Sequence, residues 1–228
     1  MSLETLDESS LPEELTCPVG VPDCSVLAQL RLMQAEREGL LAQVRTDGLT
    51  GVFNYRHFAD LLEQEVERSR RSGLPLVLAM VDLDHFKQVN DRWGHEVGNR
   101  VLIHLAGILR DGVRRIDSVC RYGGEEFALV LPGTPLPKAL PVAERIREQI
   151  EASPLWVGRD QVRVTASVGL AAFPARDVQS GQQLLERADA LLYQAKAEGR
   201  NRVCHVTPAP QVPIAQVTPE EKSALWDS

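Results

Sequence analysis

The sequence predicts an α+β domain, a layered sheet with helices packed against it. Three observations carry this. Leu74 to Val81 reads LPLVLAMV, an almost unbroken apolar run of strand length, as expected for a strand buried on both faces. VCRY and EFALVL, on either side of Gly123 and Gly124, read as a hairpin. Between and after them, apolar residues recur at helical spacing in several segments, each of which needs a sheet to bury its stripe.

Along the chain, residues 1–23 carry six acids, three prolines and no Lys or Arg, and predict a disordered or loosely attached arm. In residues 24–46, Val26, Leu30, Met33, Arg37, Leu40 and Val44 alternate four- and three-residue steps, with Ser25 placed as an N-cap. This helical coiled-coil stalk reads in two ways. It is either one amphipathic helix packed on its own domain or a parallel dimer seam that tolerates Arg37 at its edge. The body spans 47–206. After the turn DGLTG, a helix puts Phe58, Leu61, Leu62 and Val66 on one face. The buried strand follows, then a short helix near Asp84 and a longer one from His95 with Val97, Val101, Leu105 and Ile108. The hairpin comes next, then a helix carrying Leu140, Ala143, Ile146 and Ile150. Val162, Val164, Ala166, Val168 and Leu170 alternate with Arg163, Thr165 and Ser167 and predict a half-exposed strand. Leu184, Leu185, Ala188, Leu191, Leu192 and Ala195 mark a last helix, and Val203 opens a closing strand. Residues 207–228, with Pro208, Pro210, Pro213 and Pro219, predict a disordered tail.

Composition narrows the classes. The 228 residues are 43% hydrophobic and 25% charged with net charge −7, which suits a soluble domain with short extensions. Absence of a membrane-length apolar run and of a signal peptide points to the cytosol. The acidic balance argues against broad nucleic-acid binding while leaving room for a local basic pocket. Cys17, Cys24, Cys120 and Cys204 are scattered without metal-site spacing and read as free reduced thiols.

The chemistry sits in the acids. Asp82 and Asp84 fall where the buried strand ends, and the hairpin tip brings Glu125 and Glu126. With the hairpin beside that strand, three or four carboxylates converge and repel unless a cation lies among them. Oxygen ligands without His or Cys indicate Mg²⁺, which in such sites screens phosphoryl oxygens and activates an attacking hydroxyl. Each piece alone has a plainer reading: Asp84 is equally placed to cap the next helix, and Gly-flanked glutamates are commonly a solvated turn. Lys87, Lys196 and Arg200 are cations able to hold a triphosphate, although Lys196 and Arg200 also suit a helix C-terminus.

In order, DGLTG (47–51), VDLDHFKQVND (81–91), GHEVGN (94–99), RYGGEEF (121–127), SVGLA (167–171) and ADALLYQAKAEGRN (188–201) resemble the GGDEF-domain diguanylate cyclases over residues 47–206. The resemblance implies a cyclase/polymerase-palm-like fold with a central mainly antiparallel sheet flanked by helices. It implies a homodimer in which each domain holds one GTP, each 3′-hydroxyl attacks the other α-phosphate, and cyclic di-GMP and pyrophosphate result. It assigns Asp82, Glu125 and the backbone carbonyl of Leu83 to Mg²⁺ or Mn²⁺, with Glu125 also aiding deprotonation. Gly123 and Gly124 would let backbone approach the nucleotide. Lys87, Lys196 and Arg200 match triphosphate contacts, Asn90 and Asn99 the guanine-reading pair, and Asp84 and Glu126 supporting acids.

One position departs from the family: Asn99 stands where Asp is usual. An amide has one acceptor atom, and its NH₂ would face a guanine donor, a mismatch costing about 1–3 kcal/mol. Either guanine discrimination weakens and ATP is admitted, or Glu96 or a water restores it. Arg114 and Asp117 form an RxxD separated by five residues from Gly123, matching the family's product-inhibition site. The layout resembles small stand-alone cyclases of the SiaD type, which implies a separate regulatory protein docking on the stalk. The competing class is a non-catalytic receptor for GTP or cyclic di-GMP.

Overall fold

The computed structural model describes residues 25–26, 28–33, 45–174 and 180–206. The chain divides into two units, Met1–Arg45 and Thr46–Ser228. In the first, residues 25–26 and 28–33 are helical, and Val26, Leu30 and Met33 of the expected seam are exposed. Arg37, Leu40 and Val44 lie outside the described residues, as do the acidic arm, Cys17, Cys24 and the Pro-rich tail.

The second unit runs α1 (Tyr55–Ser72), β1 (Leu76–Leu83), α2 (Phe86–Trp93), α3 (His95–Gly112), β2 (Ser118–Arg121), β3 (Glu126–Pro132), α4 (Leu136–Ala152), β4 (Leu155–Val157), β5 (Asp160–Val162), β6 (Ala166–Phe173), α5 (Gly181–Ala197) and β7 (Val203–His205). A five-stranded sheet has the order β2-β3-β1-β6-β7, antiparallel throughout except for the parallel β6–β7 pair. β1 is central, and its continuous apolar sequence follows from that position. Val77, Ala79, Val81 and Leu83 enter the core that holds residues of α2, α3 and α4, whereas Leu76, Leu78 and Met80 enter the core under α1 and α5. The helical stripes read from sequence are the buried faces: Phe58, Leu62 and Val66 on α1, Val101 and Leu105 on α3, Ala143, Ile146 and Ile150 on α4, Leu184, Ala188, Leu191, Leu192 and Ala195 on α5.

The Val162–Leu170 alternation misleads. The segment breaks into β5, an irregular stretch at 163–165, and β6, which is buried on both faces down to Ser167. β6 lies between β1 and β7, with α5 against it. Gly169 allows that approach: a Cβ there would lie 2.2 Å from the Ala188 carbonyl oxygen and 2.3 Å from the Leu192 nitrogen. β4 and β5 form a separate small hairpin that the sequence pattern does not announce. Cys120 and Cys204 are free and buried, and burial pushes the Cys120 thiol up to about 12. No helix among the described residues is long and apolar enough to cross a membrane.

Candidate active site

Asp82, one residue from the end of β1, pairs in register with Glu126 on β3 and Ser167 on β6. A carboxylate 5% exposed on a central strand needs compensation. Lys196 supplies it, its Nζ 2.8 Å from Asp82 Oδ2. Lys196 lies in the last turn of α5, the helix that Gly169 lets settle onto β6. The hairpin tip closes over the same end: Leu83 N–H donates to the Glu125 carbonyl at 3.4 Å. Burial, then the neighbouring Asp82 charge, push the Glu125 and Glu126 carboxyls above their usual range. Burial likewise raises Asp82, with Lys196 opposing it.

The four-acid convergence expected from sequence is thus reduced. The Asp84 oxygens are taken up by Thr165, Ser167 and Asn201, although its charge still raises Asp82, and among the described residues no three Asp, Glu, His or Cys side chains form a ready-made metal cluster. Asp82 and Glu125 with nearby backbone oxygen still fit Mg²⁺, which keeps waters and takes one or two carboxylates plus substrate phosphates rather than an all-protein cage. Burial is the first cause of these raised carboxyl pKa values, and the Asp82 charge that adds to it at Glu125 and Glu126 is a repulsion a cation would relieve.

Asp84 does not cap α2. The cap position is His85, at φ 58° and without a side-chain cap bond. Asp84 instead accepts from Ser167 Oγ (2.7 Å), Thr165 Oγ1 (2.7 Å) and Asn201 N–H (3.0 Å), knotting the end of β1 to the approach to β6 and the loop after α5.

The hairpin expected around the glycine pair forms, closed by Tyr122 N–H donating to the Glu126 carbonyl at 2.8 Å. Neither Gly123 nor Gly124 has positive φ. A Cβ at Gly123 would meet Glu126 Oε2 at 2.9 Å, whereas Gly124 faces open space. Arg121, which the sequence reading did not single out, holds the turn. Its guanidinium donates to the carbonyls of Gly123 (3.2 Å) and Gly124 (2.7 Å) and reaches Asp47 of DGLTG at 3.2 Å. Asp47 also accepts from Thr50 N–H and Oγ1, and together these bonds hold its pKa down against burial.

Lys87 on α2 and Arg200 are exposed, and neither side chain has a hydrogen-bond or ion-pair partner among the described residues. Lys196 and Arg200 do not share a helix face, because α5 ends at Ala197 and Arg200 lies beyond the Glu198 cap. Asn90 on α2 lies against α3 at Gly98, where a Cβ would fall 1.9 Å from Asn90 Oδ1. Gly98, also missed from sequence, therefore leaves the space that the Asn90 side chain occupies; a glycine inside a helix, at a cost of about 1 kcal/mol, was its signal.

Arg114 and Asp117 fold onto one another, Arg114 N–H donating to Asp117 Oδ2 at 2.8 Å. Asp117 Oδ1 is buried without a hydrogen-bond partner among the described residues, and burial raises the carboxyl pKa. The two residues border clefts of about 300 and 270 Å³, the second also lined by Arg145, which no motif had indicated.

Residues 44–202 match the family model described as "Diguanylate cyclase, GGDEF domain". The chain belongs to this family. It is 45% identical over 160 residues to the response regulator PleD of Caulobacter vibrioides, covering 69% of this chain and 35% of that protein. The chain therefore spans only about a third of that curated relative. Among solved structures it is similar to the diguanylate cyclase SiaD of Pseudomonas aeruginosa, solved in complex with its activator SiaC, with TM-score 0.68, 41% identity and coverage of 78% of this chain and 68% of that one. It is also similar to the GGDEF domain of DgcB from Caulobacter crescentus in complex with c-di-GMP, with TM-score 0.68, 34% identity and coverage of 72% and 96%.

Proposed function

We propose that this chain condenses two GTP into cyclic di-GMP, with release of two pyrophosphates, at a site completed by a second copy. The observation that carries this is the charged mouth at the end of β1: Asp82 in register with Glu126, Glu125 held across it, and Lys196 2.8 Å from Asp82. Family membership supports the reaction class. Residues 47–206 are its catalytic domain, residues 24–46 its stalk, and residues 1–23 and 207–228 flanking arm and tail.

Asp82, Glu125 and the Leu83 carbonyl would hold Mg²⁺ or Mn²⁺. The bound ion supplies charge screening at the phosphoryl oxygens and acidifies the 3′-hydroxyl. Lys87, Lys196 and Arg200 bind the triphosphate and orient it, and Asn90 with Asn99 holds the base. Glu125, its carboxyl raised by burial and by Asp82, accepts the 3′-hydroxyl proton. The hydroxyl oxygen forms a bond to the α-phosphorus of the facing GTP, the bond to the β-phosphate bridge breaks, and pyrophosphate leaves. The second copy repeats the step and closes the ring. Glu126 and Asp84 support this arrangement, Glu126 by charge and Asp84 by holding the backbone.

Arg114 and Asp117 form the inhibitory product site; the unpartnered Asp117 Oδ1 supports it, being an acceptor for the guanine N1/N2 edge. The exposed Val26, Leu30 and Met33 support pairing of stalks, and the SiaD–SiaC likeness supports a protein partner docking there. GTP as substrate places the reaction in the cytoplasm. The test is incubation of the full chain with GTP and Mg²⁺, product chromatography, and Glu125→Ala as control. Cyclic di-GMP from the wild type alone supports the proposal; GTP bound but unchanged supports the receptor reading instead.

A further inference from the structure

Three consecutive residues after α5 have positive φ: Gly199 at 116°, Arg200 at 63° and Asn201 at 46°. Glycine adopts this conformation freely, but the Cβ of an arginine crowds the next carbonyl. Such residues persist where their surroundings over-determine them, and they gather at functional sites.

Here the surroundings are concentrated on Asn201. Its N–H donates to Asp84 Oδ2 at 3.0 Å, its Oδ1 accepts from Arg147 Nη1 at 2.8 Å, and its Nδ2 donates to Glu151 Oε1 at 3.0 Å. Donor and acceptor of the amide are therefore fixed in opposite directions by two charged residues of α4. Arg147 is locked in turn by Glu144 and Glu151, both at 2.9 Å, which keep its guanidinium firmly protonated. Next to this fully bonded residue, Arg200 has its backbone tied, N–H to the Ala195 carbonyl at 2.9 Å, while its exposed guanidinium makes no hydrogen bond or ion pair among the described residues and its charge acts on Asp82. Asp84 links the clamp to the strand end that carries Asp82, so the turn that holds Arg200 and the charged mouth are tied to the same strand end.

We propose that Asn201 is a positioning residue for nucleotide phosphates: clamped by Arg147, Glu151 and Asp84, it holds the left-handed turn that aims Arg200 at the triphosphate. This deepens the cyclase reading and rests on it.

The full chain is titrated calorimetrically, in Mg²⁺, with 3′-deoxy-GTP, which cannot cyclise, and with GMP, which lacks the outer phosphates. Asn201→Ala should weaken 3′-deoxy-GTP about tenfold and GMP by no more than about twofold. In an Arg200→Ala background it should add nothing. Asn201→Asp, facing Glu151, should weaken the triphosphate as well, and Asn201→Asp with Glu151→Gln, which exchanges donor and acceptor, should restore it. Equal weakening of both nucleotides, or multiplying effects of Asn201→Ala and Arg200→Ala, would overturn the proposal. A wild type that binds neither nucleotide would remove the cyclase reading and the proposal with it, an outcome distinct from selective failure of the variants.

Discussion

Asp82 and Asp84 stand two residues apart at the end of the same strand, and both are buried. Asp84 is satisfied by two hydroxyls and an amide N–H, at 2.7–3.0 Å. Among the described residues Asp82 has one ion-pair partner, Lys196, and its charge adds to burial in raising the Glu125 and Glu126 carboxyls beside it. The contrast separates a mount from a mouth. A buried charge surrounded by neutral donors fixes backbone, whereas one left among like charges is waiting for a ligand.

This contrast can be broken most severely at the mouth. Asp82→Asn should lower cyclase turnover by about a thousandfold or more, while thermal denaturation stays near wild type. Asp84→Ala should do the reverse in kind. It strands the Thr165 and Ser167 hydroxyls and the Asn201 amide, costs about 3 kcal/mol, and lowers Tm by roughly 6–12 °C. If Asp82→Asn cost more stability than Asp84→Ala, the division of labour would be wrong.

Smaller effects sharpen it. With GTP and ATP competing, the wild type should yield some adenine-containing product, and Asn99→Asp should raise guanine preference about tenfold. Cyclic di-GMP as sole product under excess ATP would show that guanine is read without an acid at that position. Arg114→Ala should weaken product inhibition about tenfold, read from progress curves with added cyclic di-GMP; unchanged inhibition would remove the RxxD assignment.

The smallest effect concerns pH. Glu125 has a raised folded pKa, caused first by burial and then by Asp82. Its stabilising contribution is therefore complete below the unfolded value and is lost as pH rises through the folded one. Without divalent cation, Glu125→Gln should melt above wild type at neutral pH. The gap should close below about pH 4, the ordinary carboxylate range. A gap that widened in acid would contradict the sign.

Much of this was legible in sequence because period and motif coincide with burial. LPLVLAMV announced β1, and RYGGEEF announced the hairpin whose register sets Glu126 against Asp82. What escaped depends on contacts distant in sequence. Ser167 looked solvent-facing by alternation, but it is buried and its hydroxyl donates to Asp84, 83 residues earlier and just past the end of β1. Arg121 looked like an ordinary strand-end cation until Asp47, 74 residues earlier, met it. The role of Asn201 needed Arg147 and Glu151 from another helix. Local chemistry announced the mouth, and long-range hydrogen bonds revealed how it is mounted.

The central claim is that this mouth is half an active site. Wild type and Glu125→Ala chains, equilibrated at constant total concentration and increasing variant fraction, test it through cyclic di-GMP formation. The rate should fall with the square of the wild-type fraction, because each mixed pair closes no second bond. A strictly linear fall would mean that each chain completes the reaction alone and would contradict the account.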